Sequence, residues 1–75
     1  MKKIKKIKKI KISLNGKVKL VEGNYKMLNL ILDLKIPLKK VAIELNKEIV
    51  DKKKLKKIKL KNNDKIEIVH FIGGG

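Results

Sequence analysis

The sequence predicts a two-layer α+β domain: a mixed five-stranded sheet, one helix across one of its faces, and a short 3₁₀ segment before the last strand. Three observations carry this. Apolar and polar residues alternate in short runs along the chain, which is the period of a half-buried strand. Asn15-Gly16 joins the first two runs, and both residues tolerate the positive φ that a two-residue hairpin requires. Met27, Leu30, Ile31 and Leu34 instead fall at i, i+3, i+4 and i+7, the one sustained helical stripe. A single helix covers a single sheet face, so the other must be open.

Taken in order, residues 1–9 form a lysine block in which Ile4 and Ile7 start an every-third spacing that Ile10 continues. They are expected to be a basic, flexible arm, because strand alternation starts only at Ile10, Ile12 and Leu14. Strand two should run from Lys17 to Val21 with Val18 and Leu20 toward the core. Asn24 is the expected N-cap of a helix reaching about Lys35, with Leu28 and Leu32 flanking its apolar face and Pro37 stopping it. Val41, Ile43 and Leu45 form strand three, and Asn46-Lys47 turns it into a short strand from Glu48 to Val50. Asp51 to Leu60 is lysine-dense, but Leu55, Ile58 and Leu60 should anchor it to the core as the 3₁₀ segment. Strand five is Lys65 to Phe71, with Ile66 and Ile68 inward and Glu67, Val69 and Phe71 outward. The domain is therefore placed at residues 10–71, with 72–75 as a flexible glycine tail.

A chain of 75 residues holds one modest core and leaves little wall for a catalytic cleft, so a carrier or binding module fits better than an enzyme. Cysteine is absent, which excludes disulfides, thiolate catalysis and Cys-based zinc sites and fits a reducing cytoplasm. No apolar run suggests a signal-peptide core or a membrane span. The net charge is +15, and every basic residue is lysine. Arginine would suit base edges and bidentate phosphate contacts, and aromatic platforms would suit single strands, yet there is no Arg and only Tyr25 and Phe71. The composition thus argues against nucleic acid, and the Lys, Ile and Asn enrichment matches an A/T-biased coding sequence. His70 stands without a second ligand type, so no metal site is expected. Asp33, Glu44, Glu48, Asp51, Asp64 and Glu67 fall on turns or wet faces, so no residue is assigned a catalytic role.

Val41-Ala42-Ile43, Leu45-Asn46, Glu48-Ile49-Val50, the run Asn63 to Val69, and the terminal Gly73-Gly74-Gly75 together resemble the ThiS sulfur carriers, members of the ubiquitin-like β-grasp fold. The resemblance covers roughly residues 10–75. Where the family usually has glycine before strand five this chain has Asn63, the non-glycine residue that best tolerates positive φ. The molybdopterin-type MoaD carriers commonly carry a proline pair before the glycines. Here Val69-His70-Phe71-Ile72 takes that place, which favours ThiS. MoaD-like or tRNA-thiolation carriers are the alternatives within the scaffold, along with a conjugated ubiquitin-like modifier. From another class comes a lysine-rich RNA or membrane-surface binding module.

The resemblance implies that the chain binds no cofactor and is itself the co-substrate. A ThiF-like enzyme would adenylate the Gly75 carboxylate with ATP. Sulfur from a persulfide donor of the cysteine desulfurase pathway would then give a thiocarboxylate, which thiazole synthase, ThiG, would use for the thiazole of thiamine. Four extended residues beyond Phe71 reach about 13 to 14 Å, and Gly73, Gly74 and Gly75 keep that thread narrow. Recognition must come from the body, and Val69, Phe71, Ile72 and Ala42 are the expected partner-binding patch. The chain alone is expected to be a monomer.

Overall fold

The structure, a computed structural model, describes residues 8–71. The expected arm falls largely, and the glycine tail wholly, outside these residues. The elements are β1 (Lys9–Leu14), β2 (Lys17–Glu22), α1 (Met27–Leu34), a 3₁₀ turn (Leu38–Lys40), β3 (Val41–Leu45), β4 (Glu48–Ile49), a second 3₁₀ segment (Lys52–Lys57) and β5 (Lys65–His70). The sheet order is β2-β1-β5-β3-β4. The last strand is central: β5 runs parallel to β1 and antiparallel to β3, which makes the sheet mixed. The predicted α+β class and element order hold, with the turn at Leu38–Lys40 as an addition.

The core lies between the helix and one sheet face. Ile12, Met27, Leu30, Ile31, Val41, Ile43, Leu60 and Ile66 are its most deeply buried side chains. Leu55 and Leu60 belong to it as expected, and Ile58 packs at its edge. The lysine-dense connection is thereby pinned, with Asp51 capping the second 3₁₀ segment by accepting from the Lys53 N–H at 2.9 Å.

Strand two is reversed relative to the expectation. Val18 is 69% and Leu20 62% exposed, while Val21 is buried. The reason is the tight turn, with Asn15 and Gly16 at φ 50° and 83°. A two-residue turn pairs Leu14 with Lys17 and therefore Ile12 with Lys19 and Ile10 with Val21. Once Ile10, Ile12 and Leu14 face the helix, their partners face it too, and Val18 and Leu20 are turned to the open side. Lys19 is half-buried opposite Ile12, a place its apolar stem can fill while the ammonium reaches water.

The helix also begins later than expected, and Asn24 is not its cap. Tyr25 and Lys26 are tied to the far connection by two bonds that together form the Lys26–Lys59 bridge: Leu60 N–H to the Tyr25 carbonyl at 3.0 Å and Met27 N–H to the Ile58 carbonyl at 2.9 Å. The cap position passes to Lys26, whose N–H donates to the Asn29 Oδ1 at 2.9 Å. At the other end Lys35 adopts φ 55° and donates to the Ile31 and Leu32 carbonyls, closing the helix two residues before Pro37. This leaves Leu34 in the final turn at 36% exposure, not within the core.

Strand one begins at Lys9, one residue before the expected boundary, because Lys9 pairs with Glu22. The Lys8 carbonyl accepts from the Gly23 N–H at 2.7 Å, and a Cβ at Gly23 would meet that oxygen at 2.8 Å, so the close approach needs glycine.

Candidate functional site

The candidate site is the leading end of β5 and the open sheet face beside it. Three partners hold β5. Beyond Ile66 it has outrun the β1 ladder, and the Asn15 side chain replaces the missing neighbour: its Oδ1 accepts from the Ile68 N–H at 2.8 Å and its Nδ2 donates to the Ile68 carbonyl at 3.4 Å. On the other side β3 pairs from Leu45–Ile66 to Val41–His70. Past the strand, the Phe71 N–H still donates to the Lys40 carbonyl at 2.9 Å. The backbone is therefore fixed as far as the residue before the tail.

The start of β5 is equally constrained. Asn63 adopts φ 72°, as its type allows, and donates to the Lys11 carbonyl at 2.6 Å while the Lys11 N–H donates to the Asn62 Oδ1 at 2.8 Å. Asp64 accepts from the Lys61 N–H at 2.7 Å.

Val69 and Phe71 lie on the open face, 52% and 55% exposed. Ala42 is half-buried and directly opposite Val69. These three are brought together at one sheet end; Ile72, Gly73, Gly74 and Gly75 lie outside the described residues. His70, on the alternate parity opposite Val41, is exposed. The Lys52 ammonium sits 5.7 Å from the centre of the Phe71 ring and donates to the Leu38 carbonyl, joining both 3₁₀ segments to the root of the tail.

The open face carries more apolar surface than the sequence reading assigned to it. Ile49, 76% exposed, pairs with Glu44 on the edge strand beyond Ala42, and Val18 and Leu20 stand on the opposite edge. The signal that could have found Val18 and Leu20 is the hairpin register, because the Asn-Gly turn fixes which parity of strand two shares a face with Ile12.

Glu22, Asn24, Tyr25, Asn29 and Asp33 line a shallow hollow of about 340 Å³, where the Tyr25 hydroxyl donates to the Asp33 carboxylate. Desolvation, joined by that bond and the carboxylate's charge, pushes the Tyr25 phenol up to about 12. Among the described residues no group of His, Cys, Asp or Glu could hold a metal ion, and no helix is long and apolar enough to cross a membrane.

Comparison with known proteins points one way. The ThiS family matches residues 12–75. The sulfur carrier protein ThiS of Bacillus subtilis is 40% identical over 65 residues, covering 85% of this chain and 98% of that one. A thiazole synthase of Magnetococcus marinus is 39% identical over 66 residues, 88% of this chain, and this chain spans only 20% of that enzyme's length. Among solved structures, the thiamine biosynthesis protein ThiS from Geobacter metallireducens superposes with a TM-score of 0.74 at 29% identity, covering 88% of this chain and all of that one.

Proposed function

From the premise that the chain belongs to the ThiS family, we propose that the Gly75 carboxylate is the group on which its chemistry takes place. The chain is a sulfur carrier of thiamine biosynthesis and not a catalyst. The observation that carries the reading is the family match running through Gly75, joined to a central strand that is bonded up to Phe71 and delivers the glycine run from the sheet's end.

A carboxylate is a poor electrophile, so it must first be activated. In a ThiF-like adenylating partner the Gly75 carboxylate attacks the α-phosphorus of ATP, forming an acyl adenylate and releasing pyrophosphate. A persulfide sulfur then displaces AMP, and thiol cleavage of the S–S bond leaves the terminal thiocarboxylate. The chain itself binds no cofactor in this scheme. Its contribution is a thread that ends in three residues without side chains, and a rigid root. Ordering those glycines costs entropy, which docking of the body must offset. Val69, Phe71 and Ala42 supply the adjoining apolar contact, with Ile72 as the first residue of the thread.

The acceptor of the sulfur is a thiazole synthase. That the Magnetococcus thiazole synthase contains a stretch resembling this chain supports the pairing of the two activities.

The test is intact mass spectrometry after incubation with a ThiF-like enzyme, ATP and a persulfide donor. The expected result is an oxygen-to-sulfur exchange localised to Gly75 and abolished when Gly74 and Gly75 are removed. Sulfur found at any group other than the terminal carboxylate, in either chain, would exclude the terminus as the site.

A further inference from the structure

We infer that the lysines at the root of the tail, Lys39, Lys40, Lys52 and Lys53, form a cationic collar that takes an acidic protein surface: the carboxylate-lined rim of the opening through which a thiazole synthase receives the tail. This rests on the reading that Gly75 acts inside a partner.

The collar is assembled by the contacts that fix the root. Phe71 is bonded to the Lys40 carbonyl, and the Lys52 ammonium reaches both the Leu38 carbonyl and the Phe71 ring. Lys39 and Lys40 therefore approach from the turn before β3, and Lys52 and Lys53 from the start of the second 3₁₀ segment. Lys39, Lys40 and Lys53 are exposed, and Lys52 is half-buried. The two segments, residues 38–40 and 51–53, carry four lysines against the single carboxylate of Asp51, so the collar keeps an excess of positive charge.

An enclosed site that takes up the short glycine thread must bring its rim against this root. Ammonium groups pressed there against an apolar or cationic rim would lose hydration without a partner, whereas carboxylates would compensate them and speed docking. The composition favours protein over nucleic acid. Arginine is absent, and of the two aromatic rings Tyr25 is engaged with Asp33.

The experiment is stopped-flow association of the full chain with the thiazole synthase of the same organism, at low and physiological ionic strength. One variant carries Lys39→Gln, Lys40→Gln and Lys53→Gln, leaving Lys52 to hold Leu38. A second carries Lys9→Gln, Lys47→Gln and Lys61→Gln, exposed lysines toward the start of β5. Both lose the same charge. The root variant is expected to associate about tenfold more slowly at low salt and with a flatter salt dependence, and the distal variant within about twofold of the unaltered chain. Should the root variant lose its circular dichroism, Lys39→Glu alone repeats the comparison.

Equal slowing in both variants, or none in either, overturns the collar while leaving the carrier reading intact. A root variant that loses single-stranded RNA binding but associates normally with the synthase overturns it in favour of nucleic acid. No measurable association by the unaltered chain overturns the pairing with the synthase, and the collar with it.

Discussion

Tyr25 donates its hydroxyl to Asp33 across Lys26 and most of the helix, and burial of the phenol together with this bond makes the stability of the fold depend on pH in the alkaline range. The phenol is held at about 12 in the folded chain against 10.0 ordinarily, first by desolvation and then by Asp33. A raised folded value means that the unfolded chain releases its proton first. The contribution is therefore complete below pH 10 and is lost as pH rises toward 12. The denaturation midpoint is expected to fall across that window by more in the natural chain than in Tyr25→Phe, a comparison that cancels the titrating lysines. Identical slopes in the two proteins would show that the bond does not bias folding.

At the scale of elements, the helix ends on a residue that is not suited to its conformation. Lys35 holds φ 55°, where a Cβ is crowded, so Lys35→Gly is expected to raise stability by about 0.5 to 1 kcal/mol in denaturant titrations. The β1–β2 hairpin makes a sharper claim. Because the turn directs Val18 and Leu20 to the open face, Val18→Thr and Leu20→Thr should each change stability by about 0.5 kcal/mol or less. Val21→Thr puts a hydroxyl into the core and should cost about 1 to 3 kcal/mol. The reverse order would mean that the strand is paired in the other register.

For the whole molecule, the central place of β5 is what connects fold to function. The far end of β5, past the β1 ladder, is held by β3, the Asn15 side chain and the Lys40 carbonyl, so it is a firm origin for the tail. The amino-terminal end is held by less. Residues 1–7 precede the alternating strand pattern in the sequence, so deleting them is expected to leave the unfolding midpoint unchanged. Deleting residues 1–9 takes away the Lys8–Gly23 bond and the Lys9–Glu22 pair and should cost about 1 kcal/mol. Thermal melts of the two truncations decide between them, and equal midpoints would place the edge of the domain after Lys9.

The class of fold, the order of its elements and the positive-φ turns at Asn15-Gly16 and Asn63 were legible in the sequence because they depend on local chemistry: period, turn residues and a single helical stripe. The outward placement of Val69 and Phe71 was legible for the same reason, since alternation with Ile66 and Ile68 settles it. Three matters needed the tertiary structure. The face of strand two was ambiguous because Lys17 to Glu22 has apolar residues at both parities, and only pairing with Ile12 decides between them. The helix start depended on residues 58–60, distant in sequence, which bond the chain on either side of the extended Lys26. The approach of Lys40 and Lys52 to Phe71 was invisible in a chain where lysine is everywhere. Proximity between Lys40, Lys52 and Phe71 arises only when the central strand emerges between two 3₁₀ segments that the sequence keeps apart.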